Sequence, residues 1–356
     1  MLDNKIDINF LTLFSLITFF VFLLITKYGK KIRNGILLDT DYNKPQAFHI
    51  EATTRCGGLA VFISLIIFSI LNNLFFSVLY IEYIILGGCL FLIGFLEDLK
   101  ISISPRVRLI LMITSLLIFL PMFNFGLNQI DLIFLANWLE NKIFLNFFLI
   151  LCFLFIINGS NLIDGFNGLL GIQFLIINIF LLLINLENQK DNFTIFLVAQ
   201  IITLLIFILF NFPKAKVFLG DGGAYLFGTL ISINIIKTNN LNPEISSFFF
   251  CVILFYLFFE VFFSFFRKIF QNKSPLKPDG NHLHMLIYKF LKNKDFANCN
   301  YLTSTIINFG YTLITLPAFF LKTNGSFCKY WFILSLVFYF YIYRSLNYKI
   351  NNNENN

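Results

Sequence analysis

Hydrophobic positions in this chain do not recur at helical spacing between polar ones; they run together in stretches of about 20 residues, the length a helix needs to cross the hydrocarbon core of a bilayer. Such runs lie near 8–26, 57–77, 79–97, 107–124, 143–161, 167–186, 193–213, 217–236, 245–267, 302–321 and 328–345, the second and third barely separated. The pattern predicts an all-α polytopic membrane bundle of about eleven transmembrane helices. Little is left over for a soluble unit, so 1–346 is expected to form one transmembrane domain. The polar end 347–356, with "NNNENN", is expected to be disordered. The first run follows the acidic "MLDNKID" and has neither a basic start nor a small-residue cleavage site, so a retained helix is expected rather than a signal peptide.

Composition strengthens this picture, since 58% of the residues are hydrophobic and 13% charged, against about 25% charged in soluble domains. The 51 phenylalanines go with abundant Ile, Asn and Lys, as an A+T-rich coding bias would give, and no single Phe is read as functional. Cys56, Cys89, Cys152, Cys251, Cys299 and Cys328 are scattered without metal-type spacing, which argues against a disulfide framework or a zinc site.

The net charge of +7 acts as an orientation signal. Assigned to alternate loops, 20 of the 26 Lys and Arg fall on one side. Positive residues near span ends stay cytoplasmic, so the N-terminus is expected outside and the C-terminus in the cytoplasm. The basic residues are spread over five loops, which does not suit a nucleic-acid footprint.

Polar islands break the apolar pattern, all in or beside the cytoplasmic loops: "TTRCGGL" from Thr53, "GFLEDLKISISPRVRL" from Gly94, "NGSNLIDGFNGL" from Asn158, "FLGDGGAYLFG" from Phe218 and "KPDGNHLHM" from Lys277. Glu97, Asp98, Asp164 and Asp221 sit at span boundaries, where carboxylates are costly unless paired, hydrogen-bonded or bound to a cation. A hard divalent ion suits them, because Mg²⁺ takes one or two protein oxygens plus phosphate oxygens and water. Glycines beside Asp164 and Asp221 would let backbone approach a phosphate. With Arg55 and nearby lysines, the set reads as a metal-diphosphate site. His282 and His284 are candidates for phosphate or sugar contacts, and His49 is a lesser one. Intramembrane carboxylates also mark ion pathways, but a transporter should place them near the midplane and often repeats its helices; these islands cluster at one interface.

The motif order from about Leu38 to Tyr288 resembles the polyprenyl-phosphate N-acetylhexosamine-1-phosphate transferases. It runs through a D-P-H-T-R-G-G-like segment, a paired-acid segment, N-x-x-N-x-x-D-G-x-[DN]-G-L, F-x-G-D-x-G and a histidine loop. The resemblance implies transfer of a sugar 1-phosphate from a UDP-N-acetylhexosamine to undecaprenyl phosphate, with release of UMP and dependence on Mg²⁺, with Mn²⁺ as the alternative ion. It implies that Asn161 and Asp221 bind the metal and that Glu97, Asp98 and Asp221 are catalytic. Substrate contacts are expected from Asn158, Asp164, Gly165, Asn167, Arg55, His282 and His284. Ile101 stands where the pentapeptide branch of the family has Lys, and "HLH" replaces that branch's three histidines. Both differences favour the branch that starts surface-polysaccharide synthesis, of the O-antigen or lipopolysaccharide type. The expected setting is the bacterial inner membrane, multi-pass, with the site facing the cytoplasm. The lipid bilayer is a partner, nucleic acid is not, and a homodimer is allowed.

Overall fold

A backbone inside a bilayer must satisfy its own hydrogen bonds, and here the apolar runs do so as helices. The computed structural model describes residues 8–31, 35–40, 52–187, 191–274 and 279–354. Its long helices are α1 (Ile8–Gly29), α2 (Gly57–Phe76), α3 (Ile81–Asp98), α4 (Pro105–Met122), α6 (Lys142–Ile163), α7 (Leu169–Glu187), α8 (Asp191–Asn211), α9 (Gly220–Leu241), α10 (Ser247–Phe270), α12 (Cys299–Phe320) and α13 (Gly325–Glu354). Each overlaps one of the expected runs. The protein is an all-α polytopic membrane bundle. The close pair α2 and α3 is divided at Ser77, whose left-handed backbone (φ 56°) ends α2 with its amide on the Asn73 carbonyl.

Nine of these helices are long and apolar enough to cross a membrane. The exceptions, α3 and α9, are informative. Helix α3 carries Glu82, Glu97 and Asp98, whereas α9 is rich in Gly, Ser, Thr and Asn. Such a helix would be costly against lipid, and α9 avoids that cost by being enclosed on nearly every side, with α2, α3, α6 and α7 packed around it. Its polar residues find partners inside. Asn234 donates to Asn178 Oδ1 at 3.0 Å and Gln200 Oε1 at 2.8 Å and accepts from Tyr83 Oη at 2.8 Å.

Close packing around α9 uses glycine. A Cβ on Gly228 would lie 2.8 Å from Ile157 Cα of α6, and one on Gly159 of α6 would fall on the Leu257 carbonyl of α10. Helix α6 is thereby clasped between its two neighbours, as small residues allow in membrane bundles.

The two ends of the bundle are distinct in their chemistry. At one end Tyr80 donates to the Asn192 carbonyl, the Asn128 amide to Asn240, and Lys322 pairs with Glu187. At the other end lie the expected site segments.

Several features depart from the sequence reading. Two short helices, α5 (Ile133–Leu139) and α11 (Leu283–Lys292), occupy stretches read as loop. Helix α11 begins in the histidine segment and buries Leu283, Met285, Leu286 and Leu291. The tail expected to be disordered from 347 is helical as far as Glu354. Extending an existing helix avoids the cost of nucleating one, and Ile350 is buried against the bundle. A two-stranded antiparallel ribbon also forms, β1 (Leu38–Asp39) with β2 (Thr53–Thr54), pairing Leu38 with Thr54.

Candidate active site

Strand β2 joins the start of α2 to the start of α9. The Phe218 amide donates to the Thr54 carbonyl at 2.8 Å, and the Gly57 and Gly58 amides donate to the Phe218 and Leu219 carbonyls at 2.9 and 2.8 Å. The first and fourth polar islands are thus one hydrogen-bonded unit.

The third partner is the end of α3. A helix leaves its first amides without internal acceptors, and a carboxylate there also meets the positive end of the helix dipole. Asp98, 2% exposed, fills this role for α9 from a different helix. Its Oδ1 accepts from the Asp221 amide at 3.0 Å and its Oδ2 from the Gly222 amide at 2.9 Å. This approach requires glycine at two places. Gly220 has φ +80°, and a Cβ on it would stand 2.6 Å from Asp98 Oδ2; a Cβ on Gly94 would stand 2.5 Å from the Asp221 carbonyl oxygen. Asp98 therefore fixes where Asp221 stands.

Charge is balanced by arginines from two other elements. Arg108, in the first turn of α4, places Nη1 3.2 Å from Asp221 Oδ2 and 3.8 Å from Glu97 Oε2. Arg55, just after β2, donates to Asp39 Oδ2 from Nε at 3.0 Å and Nη2 at 2.6 Å, and its Nη1 lies 4.0 Å from Asp98 Oδ1. Burial would lower the Arg55 pKa, but Asp39 outweighs it and the guanidinium is held more firmly charged. Asp164 follows the last residue of α6. Burial, and next the charge of Asp221, lift its carboxyl to about 7, while Arg55 and a hydrogen bond with the Gly220 backbone pull the other way. A cavity of about 240 Å³ opens beside this cluster, lined by Ile36, Leu38, Asp39, Arg55, Glu97, Asp98, Lys100 and Ser102.

Among the residues expected from sequence, the structure brings Glu97, Asp98, Asp164, Asp221 and Arg55 together. Asn158 and Asn161, three apart, share a face near the end of α6, and Asn158 donates to the Leu154 carbonyl at 2.7 Å. Asn167 is committed elsewhere. Its side chain donates to the Pro213 carbonyl and its amide to Asn300 Oδ1, both at 2.9 Å, so it ties the α6–α7 loop to its neighbours. The glycines are mostly not phosphate cradles, because Gly159 and Gly220 are filled against backbone or carboxylate; Gly165 alone of these has open space where a Cβ would stand.

The histidines are buried rather than loop-exposed. His282 bridges two carboxylates, Nδ1 being 3.1 Å from Glu260 Oε2 and Nε2 3.3 Å from Asp279 Oδ1. Burial pulls an imidazole pKa down, but these partners outweigh it and His282 is raised. His284, stacked beside it, is pulled down to about 3, chiefly by burial. Its Nε2 has no hydrogen-bond partner among the described residues. Phe166, two residues after Asp164, meets the His284 ring edge-on at 5.6 Å. His49 lies outside the described residues.

A divalent ion would find few protein ligands here. Among the described residues no three His, Cys, Asp or Glu side chains are placed to hold a metal unaided. The oxygens present nevertheless fit Mg²⁺, which needs few protein ligands when phosphates supply the rest. Asp221 offers a carboxylate, and Glu97 Oε2 is a buried oxygen that, among the described residues, has no hydrogen-bond partner and only the longer ion-pair contact with Arg108.

Asp39, Arg108 and Glu260 were not among the expected site residues. Two left a signal. Arg108 puts a positive charge in the first turn of a helix, against the dipole, and Glu260 interrupts "FYLFFEVFFSFF", where a carboxylate demands partners. Asp39, in a two-residue strand, left none.

Residues 80–239 match the family model described as Glycosyl transferase family 4. That range holds both acid segments, the α6 segment and Arg108, and leaves out Arg55 and the histidines. The chain is 26% identical over 282 residues to a Thermotoga maritima protein named undecaprenyl-phosphate alpha-N-acetylglucosaminyl 1-phosphate transferase, covering 76% of this chain and 78% of that one. It is 24% identical over 277 residues to a Bacillus subtilis protein named probable undecaprenyl-phosphate N-acetylglucosaminyl 1-phosphate transferase, covering 75% and 74%.

Proposed function

We propose that the chain, similar over residues 80–239 to Glycosyl transferase family 4 and over three quarters of its length to two undecaprenyl-phosphate N-acetylglucosaminyl 1-phosphate transferases, is a polyprenyl-phosphate N-acetylhexosamine-1-phosphate transferase: it transfers a sugar 1-phosphate from a UDP-N-acetylhexosamine to undecaprenyl phosphate, releasing UMP. The observation that carries this reading is the convergence of Asp98, Asp221, Glu97, Arg108 and Arg55 at one end of the bundle, beside a charged cavity. The proposed setting is the bacterial inner membrane, with that end in the cytoplasm. The concentration of Lys and Arg in the loops at that end supports it. A soluble nucleotide sugar can then enter from the aqueous side and the lipid sideways from the bilayer.

The lipid phosphate has a second pKa near about 6 and is largely dianionic at neutral pH, so it needs little help from a base. Asp98 acts on position instead: by accepting the Asp221 and Gly222 amides it holds the α9 terminus and its carboxylate in place. Arg55 and Lys100 present positive charge to phosphate oxygens in the cavity, and Ile36 and Leu38 offer an apolar wall to the first part of the lipid. Asp221 and Asn161 would hold Mg²⁺, with Asp164 nearby. The ion supplies positive charge to the phosphoryl oxygens as negative charge spreads over them. A transporter reading has less support, because Asn178, Gln200 and Asn234 within the bundle are occupied with one another.

The test is UMP release by purified protein from a panel of UDP-sugars. A UDP-N-acetylhexosamine should be used in preference to the UDP-muramoyl pentapeptide, and release should require both undecaprenyl phosphate and Mg²⁺ and stop in EDTA. Asp221→Asn should lower the rate at least about 10²-fold, as loss of one strong electrostatic contact does. Full turnover in EDTA would remove the metal from the scheme.

A further inference from the structure

Arg108 occupies a place that its own helix disfavours. The first turn of α4 carries both Arg106 and Arg108, with no acidic residue to offset them, although the positive end of a helix dipole repels cations. What holds Arg108 there lies on other elements. Its Nη1 is 3.2 Å from Asp221 Oδ2 on α9 and 3.8 Å from Glu97 Oε2 on α3. One guanidinium thus serves two carboxylates from two helices. The Asp221 carboxylate has little freedom to withdraw, because its backbone is held through Asp98 on one side and packed against Gly94 on the other. Among the described residues Glu97 Oε2 has no hydrogen-bond partner besides this ion-pair contact.

We infer that Arg108 is an internal counter-ion that competes with the divalent cation for Asp221 and so sets the metal affinity of the site. This rests on the proposed assignment of Asp221 as a metal ligand. Two positive groups drawn to one carboxylate repel each other at such short range. The guanidinium hydrogen bond also occupies an oxygen lone pair that a small hard ion would use. Arginine cannot relieve the conflict by losing a proton. The guanidinium must swing off Asp221, and its donors then become available to a phosphate, whose planar pairs of oxygens suit the guanidinium fork. Metal binding and phosphate recognition are coupled through one side chain.

The test is Mn²⁺ binding in detergent solution without nucleotide, followed by the electron paramagnetic resonance signal of the free ion, with folding checked by size-exclusion chromatography. Arg108→Gln should bind Mn²⁺ at least about tenfold more tightly than the wild type, since a repelling charge is removed. Arg108→Lys, which keeps the charge, should stay close to wild type. Asp221→Asn should abolish this binding in either background. Where the glutamine variant does not give folded protein, Arg108→Met, which keeps the apolar stem, is read in the same way. Equal or weaker affinity in the uncharged variants, with Asp221-dependent binding in the wild type, would overturn the counter-ion role alone. Absence of Asp221-dependent binding in every variant would overturn the metal assignment and this inference together.

Discussion

In the proposed reaction Asp98 acts by position, through the α9 amides it accepts. Both oxygens accept backbone amides of α9, so Asp98→Asn turns one acceptor into a donor facing an N–H group. A buried donor left without an acceptor costs about 1–3 kcal/mol. The variant should melt at a lower temperature and lose activity by a similar factor at about pH 6 and about pH 8, on either side of full ionisation of the lipid phosphate. Strong recovery at the higher pH would instead identify Asp98 as a base. At this scale the sequence was partly legible. Glu97, Asp98, Asp164 and Asp221 stand out because carboxylates among apolar residues need partners. Asn167 and Gly159 lie in the same kind of polar island, yet one secures a loop to Pro213 and the other lets α6 meet α10. Composition marks an island as unusual; it does not say whether the missing side chain makes room for a ligand or for another helix.

The histidine loop is best understood as an element, because α11 and the end of α10 are joined through charge. Glu260 accepts from the Leu283 amide at 3.0 Å and meets His282, while Asp279 reaches both His282 and Arg267, the latter at 2.7 Å. Asp279 sits below the usual carboxylate range: burial raises it, but His282 and Arg267 outweigh that. For His282 the folded pKa is raised above the ordinary 6.5. Its contribution to stability is therefore fully present below that ordinary value and is lost as pH rises through the raised one. Thermal unfolding in detergent should show the wild type losing more stability than His282→Gln between about pH 6 and about pH 9. Parallel loss in both proteins would mean that His282 is not charged in the fold. The long helices were legible because a run of apolar residues long enough to cross the bilayer admits few other structures. Helix α11, the ribbon β1–β2 and the helical tail were not, since short segments outside the bilayer depend on tertiary contacts such as Glu260 and Val217 that no local pattern records.

For the whole molecule, one bundle with two chemically different ends makes a prediction about sides. With the native cysteines removed, single cysteines at Gly280 and Ser104 should react with impermeant reagents from the cytoplasm, and those at Asn128 and Asn240 from outside. Asn128 and Asn240 are hydrogen-bonded neighbours, so finding them on opposite faces would be inconsistent with the fold itself. In the proposed reaction phosphate travels with the sugar, which distinguishes it from ordinary glycosyl transfer. The direct measurement uses a UDP-N-acetylhexosamine labelled with ³²P in the phosphate attached to the sugar, incubated with the protein, undecaprenyl phosphate and Mg²⁺. The label should pass into the organic-soluble lipid, leaving unlabelled UMP in the aqueous phase. Label retained in aqueous UDP while the sugar alone enters the lipid would show ordinary glycosyl transfer instead.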